Sequence, residues 1–186
     1  MRSSVLFFLA LMAFSLPGKA DQDNISKLDL TVLMAEQGHP QAQYMLGLYY
    51  SEGSGVLQDH ISAFHWFKKS ADQGFRDAQF SVAIAYDLGE GIKQDLAEAS
   101  QWYEKAALQG EGGAAYNLGI MYEEGEGVEK DRTLALTWLG LAVLLKHPMA
   151  GEAFTKLHPL LSEAQQQSAE QQAHRLKAQI PESKLQ

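Results

Sequence analysis

Apolar residues recur along most of this chain at spacings of three and four, the pattern of helices that bury one stripe. Between residues 40 and 52 they fall at Ala42, Leu46 and Tyr50, and between 59 and 73 at Ala63 and Trp66, with Ser70 continuing the second stripe. The spacing predicts a pair of helices: helix A from Pro40 to Glu52 and helix B from Asp59 to Gln73. At 1.5 Å per residue each is about 20 Å long. Gly53 and Gly55 supply the turn between them, and Gly38 and Gly74 stand where a residue able to take positive φ ends a helix.

The pair repeats. Residues 35–70, 71–106 and 107–142 align without a gap at a period of 36, and ten columns are identical in all three units. Among them are Asp59/Asp95/Asp131, Gly53/Gly89/Gly125, Gly55/Gly91/Gly127, Ala63/Ala99/Ala135 and Trp66/Trp102/Trp138. Each aspartate precedes an apolar-periodic stretch, where its carboxylate can accept from free N–H groups at the positive end of the helix dipole, so the three are expected as N-caps. Small residues at Ala42, Gly47 and Ala63 let the axes approach, with Trp66 expected to fill the space between the paired helices. Neither helix can bury its stripe alone, so the units must stack.

The flanks extend the pattern. Stepping back one period from Asp59 and Trp66 reaches Asp23 and Leu30, so Asp23 to Gln37 reads as the second helix of a degenerate unit. Pro148 to Leu157 and Ser162 to Lys177 read as two closing helices, with Pro181 marking the stop before a short frayed tail. Met1 to Ala20 has a different character: one early positive charge, an apolar run from Val5 to Leu16, then Pro17 and small residues at Gly18 and Ala20. That is the layout of a secretory signal peptide cleaved after Ala20; an uncleaved anchor is the rival reading, although the run is shorter than the roughly 20 residues a span requires. The expected organisation is a signal peptide at 1–20, a capping half-repeat at 21–38, repeats at 39–74, 75–110 and 111–146, capping helices at 147–180 and a tail at 181–186.

Composition narrows the function. The 186 residues carry 15 Lys+Arg against 23 Asp+Glu, a net charge of −8, which becomes −10 if Arg2 and Lys19 leave with the signal peptide. Such a field repels nucleic acid and anionic lipid, and neither is expected as a partner; nor is stable membrane insertion after cleavage. The absence of cysteine removes disulfides, thiolate metal sites and cysteine nucleophiles. The six histidines form no close metal-ligand spacing, with His60 and His65 five apart on one helix and so on different faces. Gly89-Glu90-Gly91 and Gly125-Glu126-Gly127 lack the Lys-Ser/Thr of a phosphate loop and follow a helix rather than a strand. The expectation is a protein without cofactor, metal or catalysis, present as a monomer in the periplasm or outside the cell.

The three units act as controls for one another. Packing columns repeat, whereas columns free for recognition can differ. Along helix A the variable columns are Gln41/Asp77/Gly113, Met45/Ser81/Asn117, Tyr49/Ala85/Met121 and Glu52/Leu88/Glu124, at offsets of 0, 4, 8 and 11. These share one helical face. Gln41, Met45, Tyr49, Asp77, Ser81, Ala85, Asn117 and Met121 are therefore the candidates for a concave groove that takes a peptide or a partner helix. The rival reading is that the columns vary because they are solvated.

The pattern Ala42-Gln43-Tyr44-x-Leu46-Gly47-x-x-Tyr50-x-x-Gly53-x-Gly55-Val56-x-x-Asp59-x-x-x-Ala63-x-x-Trp66-Phe67-x-Lys69-x-Ala71-x-x-Gly74 resembles the Sel1-like repeat family, relatives of the tetratricopeptide repeat. The resemblance implies an all-α fold, a right-handed superhelical solenoid used for contact with other proteins, often in bacterial export, envelope or host-interaction pathways. Two further functions stay open. A Cys-rich branch of that family is associated with β-lactam or peptidoglycan-fragment binding, from which this Cys-free chain departs; an accessory role in an envelope machine such as a flagellar motor or secretion system would use the same groove.

Overall fold

The computed structural model describes residues 26–185. The expected signal peptide at 1–20 lies outside the described residues, as does Asp23. Among the described residues there are nine α-helices and no strand. They are α1 (Lys27–Glu36), α2 (Pro40–Glu52), α3 (His60–Asp72), α4 (Arg76–Leu88), α5 (Leu96–Ala107), α6 (Gly112–Glu124), α7 (Arg132–Leu144), α8 (Ala150–Leu157) and α9 (Glu163–Gln179), with 3-10 turns at His158–Leu160 and Glu182–Lys184. From α1 to α8 each helix packs on the next to make a solenoid, and α9 skips α8 to lie against α7.

Local chemistry sets the ends of the helices. The Asp59 carboxylate accepts from the backbone N–H of Ile61 and Ser62, Asp95 from that of Glu98, and Asp131 from those of Thr133 and Leu134. Between the helices of each pair, the N–H of the capping aspartate donates to a tyrosine carbonyl two residues before the end of helix A: Asp59 to Tyr50, Asp95 to Tyr86 and Asp131 to Tyr122, at 2.9, 2.9 and 3.0 Å. The Gly-x-Gly in each connection makes that closure possible. At its second glycine in the later repeats, Gly91 and Gly127, φ is +74° and +70°, and a Cβ would collide with the carbonyl of His60 and of Leu96, each in the helix B before it. This glycine therefore serves the contact between repeats as well as the turn.

The spaces between helices are filled differently from the sequence expectation. Gly47 and Gly119 face the side chains of Phe67 and Leu139 so closely that a Cβ on either glycine would overlap them. It is thus the residue after the tryptophan that fills the gap inside a pair. Trp66 instead joins Ala35, Ala42 and Leu46 in the cluster between α1, α2 and α3, while Trp102 and Trp138 are buried in the main core. The ammonium of Lys105 lies 3.8 Å from the Trp102 ring centroid and that of Lys68, from the preceding repeat, 4.9 Å.

A glutamine ladder runs between units. Gln73 Nε2 donates to the Gly38 carbonyl at 3.0 Å and to Gln43 Oε1 at 2.7 Å, and Gln43 Nε2 donates on to Ala35 O. One period later Gln109 makes the same contacts to Gly74 O and Gln79 Oε1, and Gln79 to Ala71 O. These amides take up the carbonyls of Gly38 and Gly74 just past the B helices and add a second hydrogen bond to Ala35 O and Ala71 O.

Both ends of the stack depart from expectation. α1 begins one turn late, at Lys27, because Ser26 accepts from the N–H of Asp29 while Asp29 accepts from the N–H of Ser26, a capping box that fixes the start there instead of at Asp23. α8 begins at Ala150 rather than Pro148. The tail is docked rather than frayed: Arg76 Nη1 donates to the Lys184 carbonyl at 2.8 Å, Lys184 Nζ donates to Gln109 Oε1 at 2.7 Å, and Ile180 is buried. Its physical reason is the bare backbone at Gly110, against which Ile180 and Leu185 pack.

Replacing Gly127 by Ala should destabilise the fold by about 3 kcal/mol, since it combines a left-handed Cβ with a collision against backbone. The same change at Gly55, where the nearest atom is Leu28 Cδ2 at 3.4 Å, should cost only about 1 kcal/mol. Urea unfolding of the two variants checks the order; equal losses would remove the inter-repeat role of Gly127.

Candidate functional site

The candidate residues project from α2, α4 and α6, and the structure does not gather them into one pocket. Gln41 is exposed and Met45 half-buried, and both line a cleft of about 620 Å³ shared with Leu30, Thr31, Met34 and Pro40. Ser81 and Ala85 border a smaller cleft of about 170 Å³ between the first two repeats, with Leu48, Phe64, Phe67 and Ile84. Asp77 accepts from Arg76 Nε at 2.9 Å. Asn117 stands beside the Tyr103 hydroxyl.

Two of the eight residues are corrected. Ala85 and Met121 are each 6% exposed and belong to the packed interior, with Met121 in the main core. Tyr49 is half-buried against the cluster of Ala35, Ala42 and Leu46, so it supports α1 more than it offers itself to a ligand. The column varies because its three members meet different neighbours: Tyr49 meets the short α1, whereas Ala85 and Met121 sit deeper in the stack.

Tyrosine hydroxyls organise the polar part of this face. Tyr103, fully covered at 1% exposure, donates to Asp87 Oδ2 at 2.9 Å. Burial pushes its hydroxyl well above the ordinary tyrosine range, and the negative charge and hydrogen bond of Asp87 push it further. Tyr44 is raised as well, chiefly by burial and then by Asp77. Both hydroxyls are neutral, and that of Tyr103 holds the Asp87 carboxylate in place.

Among the described residues no group of three His, Asp or Glu is placed to hold a metal ion, and no helix is long and apolar enough to cross a membrane. The histidine that meets a carboxylate is His158, whose Nε2 is 3.0 Å from Glu170 Oε1 near the closing helices.

Sequence reasoning missed the apolar face of α1. Leu30, Leu33 and Met34 are 49, 50 and 38% exposed. The available signal was that α1 is a B-type helix with no A helix before it in the repeat pattern, so part of its stripe is left uncovered among the described residues.

Stacked helix pairs with glycine-rich turns and capped B helices define an α-solenoid. The Sel1 repeat family model matches residues 40–75, 76–111 and 113–147, more than half of the chain, and the chain belongs to the Sel1 repeat family. A solved Sel1 repeat protein from Oxalobacter formigenes is 34% identical, with a TM-score of 0.63 over 66% of this chain and 49% of that one. A second structure, c5321, a protective antigen present in uropathogenic Escherichia coli strains and displaying an SLR fold, is 27% identical, with a TM-score of 0.64 over 85% of this chain and 42% of that one. The chain thus spans less than half the length of either protein. No curated protein matches it. Sel1 repeat proteins generally serve as scaffolds for protein–protein contact.

The raised Tyr103 sets a pH signature. The folded state holds this proton more tightly than the unfolded chain, so the stabilisation is complete below the ordinary tyrosine value of about 10 and is lost as the pH rises beyond it. Tyr103→Phe should cost about 1 kcal/mol at pH 7 through the lost hydrogen bond and flatten the decline in stability above pH ~10. Denaturant titrations from pH 7 to 11 measure both; an unchanged alkaline slope would contradict the assignment.

Proposed function

We propose that the chain is an exported, non-catalytic interaction module whose partner, a peptide or an amphipathic helix, seats on the A-helix face at the α1/α2 end. The observation that carries this reading is the cleft of about 620 Å³ lined by Leu30, Met34, Gln41 and Met45, beside the exposed Leu33. Leu30, Leu33 and Met34 stand at i, i+3 and i+4 on α1, the spacing with which one helix meets another. Completing the burial of these three half-covered side chains supplies on the order of 3 kcal/mol, so a stable complex needs further contacts along α4 and α6. The methionines suit such a surface because their side chains adapt to the shape of what they meet. Export rests on the layout of Met1 to Ala20, with Asp21 as the mature N-terminus.

The test is recovery of crosslinked partners from intact cells, identified by mass spectrometry, with the wild type and a Leu30→Glu/Met45→Glu variant. The variant should lose its specific partner at least tenfold while its circular dichroism and melting temperature stay near wild type. Recovery of the same proteins at the same yield rejects the groove. The mass of the purified mature chain reports on export separately, and a chain beginning at Met1 rejects cleavage after Ala20.

A further inference from the structure

A second cleft, of about 500 Å³, opens where α4 and α6 begin and where the chain leaves α7. In a protein of net charge −8 its wall carries four cations, Arg76, Lys146, Lys177 and Lys184, against the single carboxylate of Glu111. Arg76 is held by Asp77, with Nε–Oδ1 at 2.9 Å, and lies 3.6 Å from Glu111, so its charge is largely answered. Lys146, Lys177 and Lys184 have no carboxylate within 4.0 Å among the described residues. Leu144, Leu145 and Leu185 supply apolar wall beside them.

The repeat pattern calls for none of the four cations, although Lys184 Nζ also donates to Gln109 Oε1 at 2.7 Å. Arg76 occupies a column that holds Pro40 and Gly112 in the other units, and Lys177 and Lys184 come from the closing helix and tail. Lys146 departs furthest. It falls one period after Gly110 in the column of Gly38, Gly74 and Gly110, and its backbone repeats theirs: Lys146 N–H donates to Val143 O and His147 N–H to Ala142 O, as Gly110 donates to Ala107 O and Glu111 to Ala106 O. The three glycines have φ of +92°, +84° and +95°, and Lys146 is the one non-glycine residue at positive φ among the described residues, at +63°. A glycine would fit that backbone without strain; the chain places a lysine there, in the wall of a cleft that already has three other cations.

We propose that this cleft binds an acidic peptide segment, its carboxylates taken by Lys146, Lys177 and Lys184 and a neighbouring apolar side chain by the leucines. The site is independent of the α1/α2 groove and stands or falls without it. Long polyanions are disfavoured, because the acidic surface beyond the cleft repels what extends past it, whereas a short segment with few carboxylates feels mainly the local cations within a Debye length of about 10 Å at 0.1 M salt.

The probe is a fluorescein-labelled tetraglutamate peptide, followed by anisotropy at 50 mM salt, with the tetraglutamine peptide as control. The glutamate peptide should bind the full chain and the glutamine peptide should not. Lys146→Gly should weaken binding roughly tenfold while raising the melting temperature by about 3 °C, since it removes a cation and restores the residue that the backbone prefers. Lys177→Gln should weaken binding similarly with no change in melting temperature. Absence of glutamate-peptide binding, equal binding of the glutamine peptide, or unchanged binding in both variants overturns the proposal. Displacement of the peptide by equimolar inorganic phosphate also overturns it and assigns the cleft to phosphate.

Discussion

Close approach of helix axes through alanine and glycine is the constraint on which the rest of this solenoid depends. Ala78, Ala83, Ala99, Ala106, Ala107, Ala114, Ala115, Ala135 and Ala142 are all fully buried, and Gly47 and Gly119 are pressed against Phe67 and Leu139. With so little side chain at these contacts, the larger residues that fill the space beside them, such as Phe67, Tyr103, Leu139, Trp102 and Trp138, are tightly enclosed. An extra methylene at such a contact has no space to enter, which is why overpacking is costly in cores of this kind. Stability without disulfides follows from the same feature, because close backbone approach maximises dispersion contacts per residue.

Close packing in turn requires an invariant period. The Gly-x-Gly turn, the aspartate-to-tyrosine hydrogen bond across it and the glutamine ladder each tie a fixed offset along the chain to a fixed displacement in space. A rung of the ladder joins Gln73 to Gly38, and the next joins Gln109 to Gly74. The third rung is missing, since position 145 holds leucine and position 115 alanine, and the tail makes a contact of its own there, Lys184 Nζ donating to Gln109 Oε1. The C-terminal segment is thus ordered because the repeat ends there and leaves polar and apolar surface unmatched.

Much of this is legible in the sequence because repetition converts tertiary contacts into columns. The ends of α2 and α3, the Asp59 cap of α3 and the glycine stops of both follow from local chemistry that the chain displays three times. What repetition does not encode is harder to read. Ser26 caps α1 through a reciprocal bond with Asp29 that no repeat shares. The docking of Lys184 and Ile180 depends on contacts far along the chain. In the candidate groove, Gln41 and Met45 open onto a cleft, while Met121 on the same helical face is buried, because the face that is free at the start of the stack is covered in its interior.

Variation between repeats therefore has two physical causes, and they can be separated. Tyr49, Ala85 and Met121 differ because their neighbours differ, and each is compatible with its backbone and its packing. Such variation is structural adjustment to a place in the stack. Lys146 differs while its backbone repeats: its hydrogen bonds match those of Gly110, yet its side chain is of the kind that backbone disfavours. Packing cannot account for that choice, since Lys146 is exposed, and the residue that ends the other B helices at this backbone is glycine, as at Gly38, Gly74 and Gly110. A substitution that opposes local conformational preference and adds charge beside three other cations is better explained by what the cleft holds than by how the chain folds.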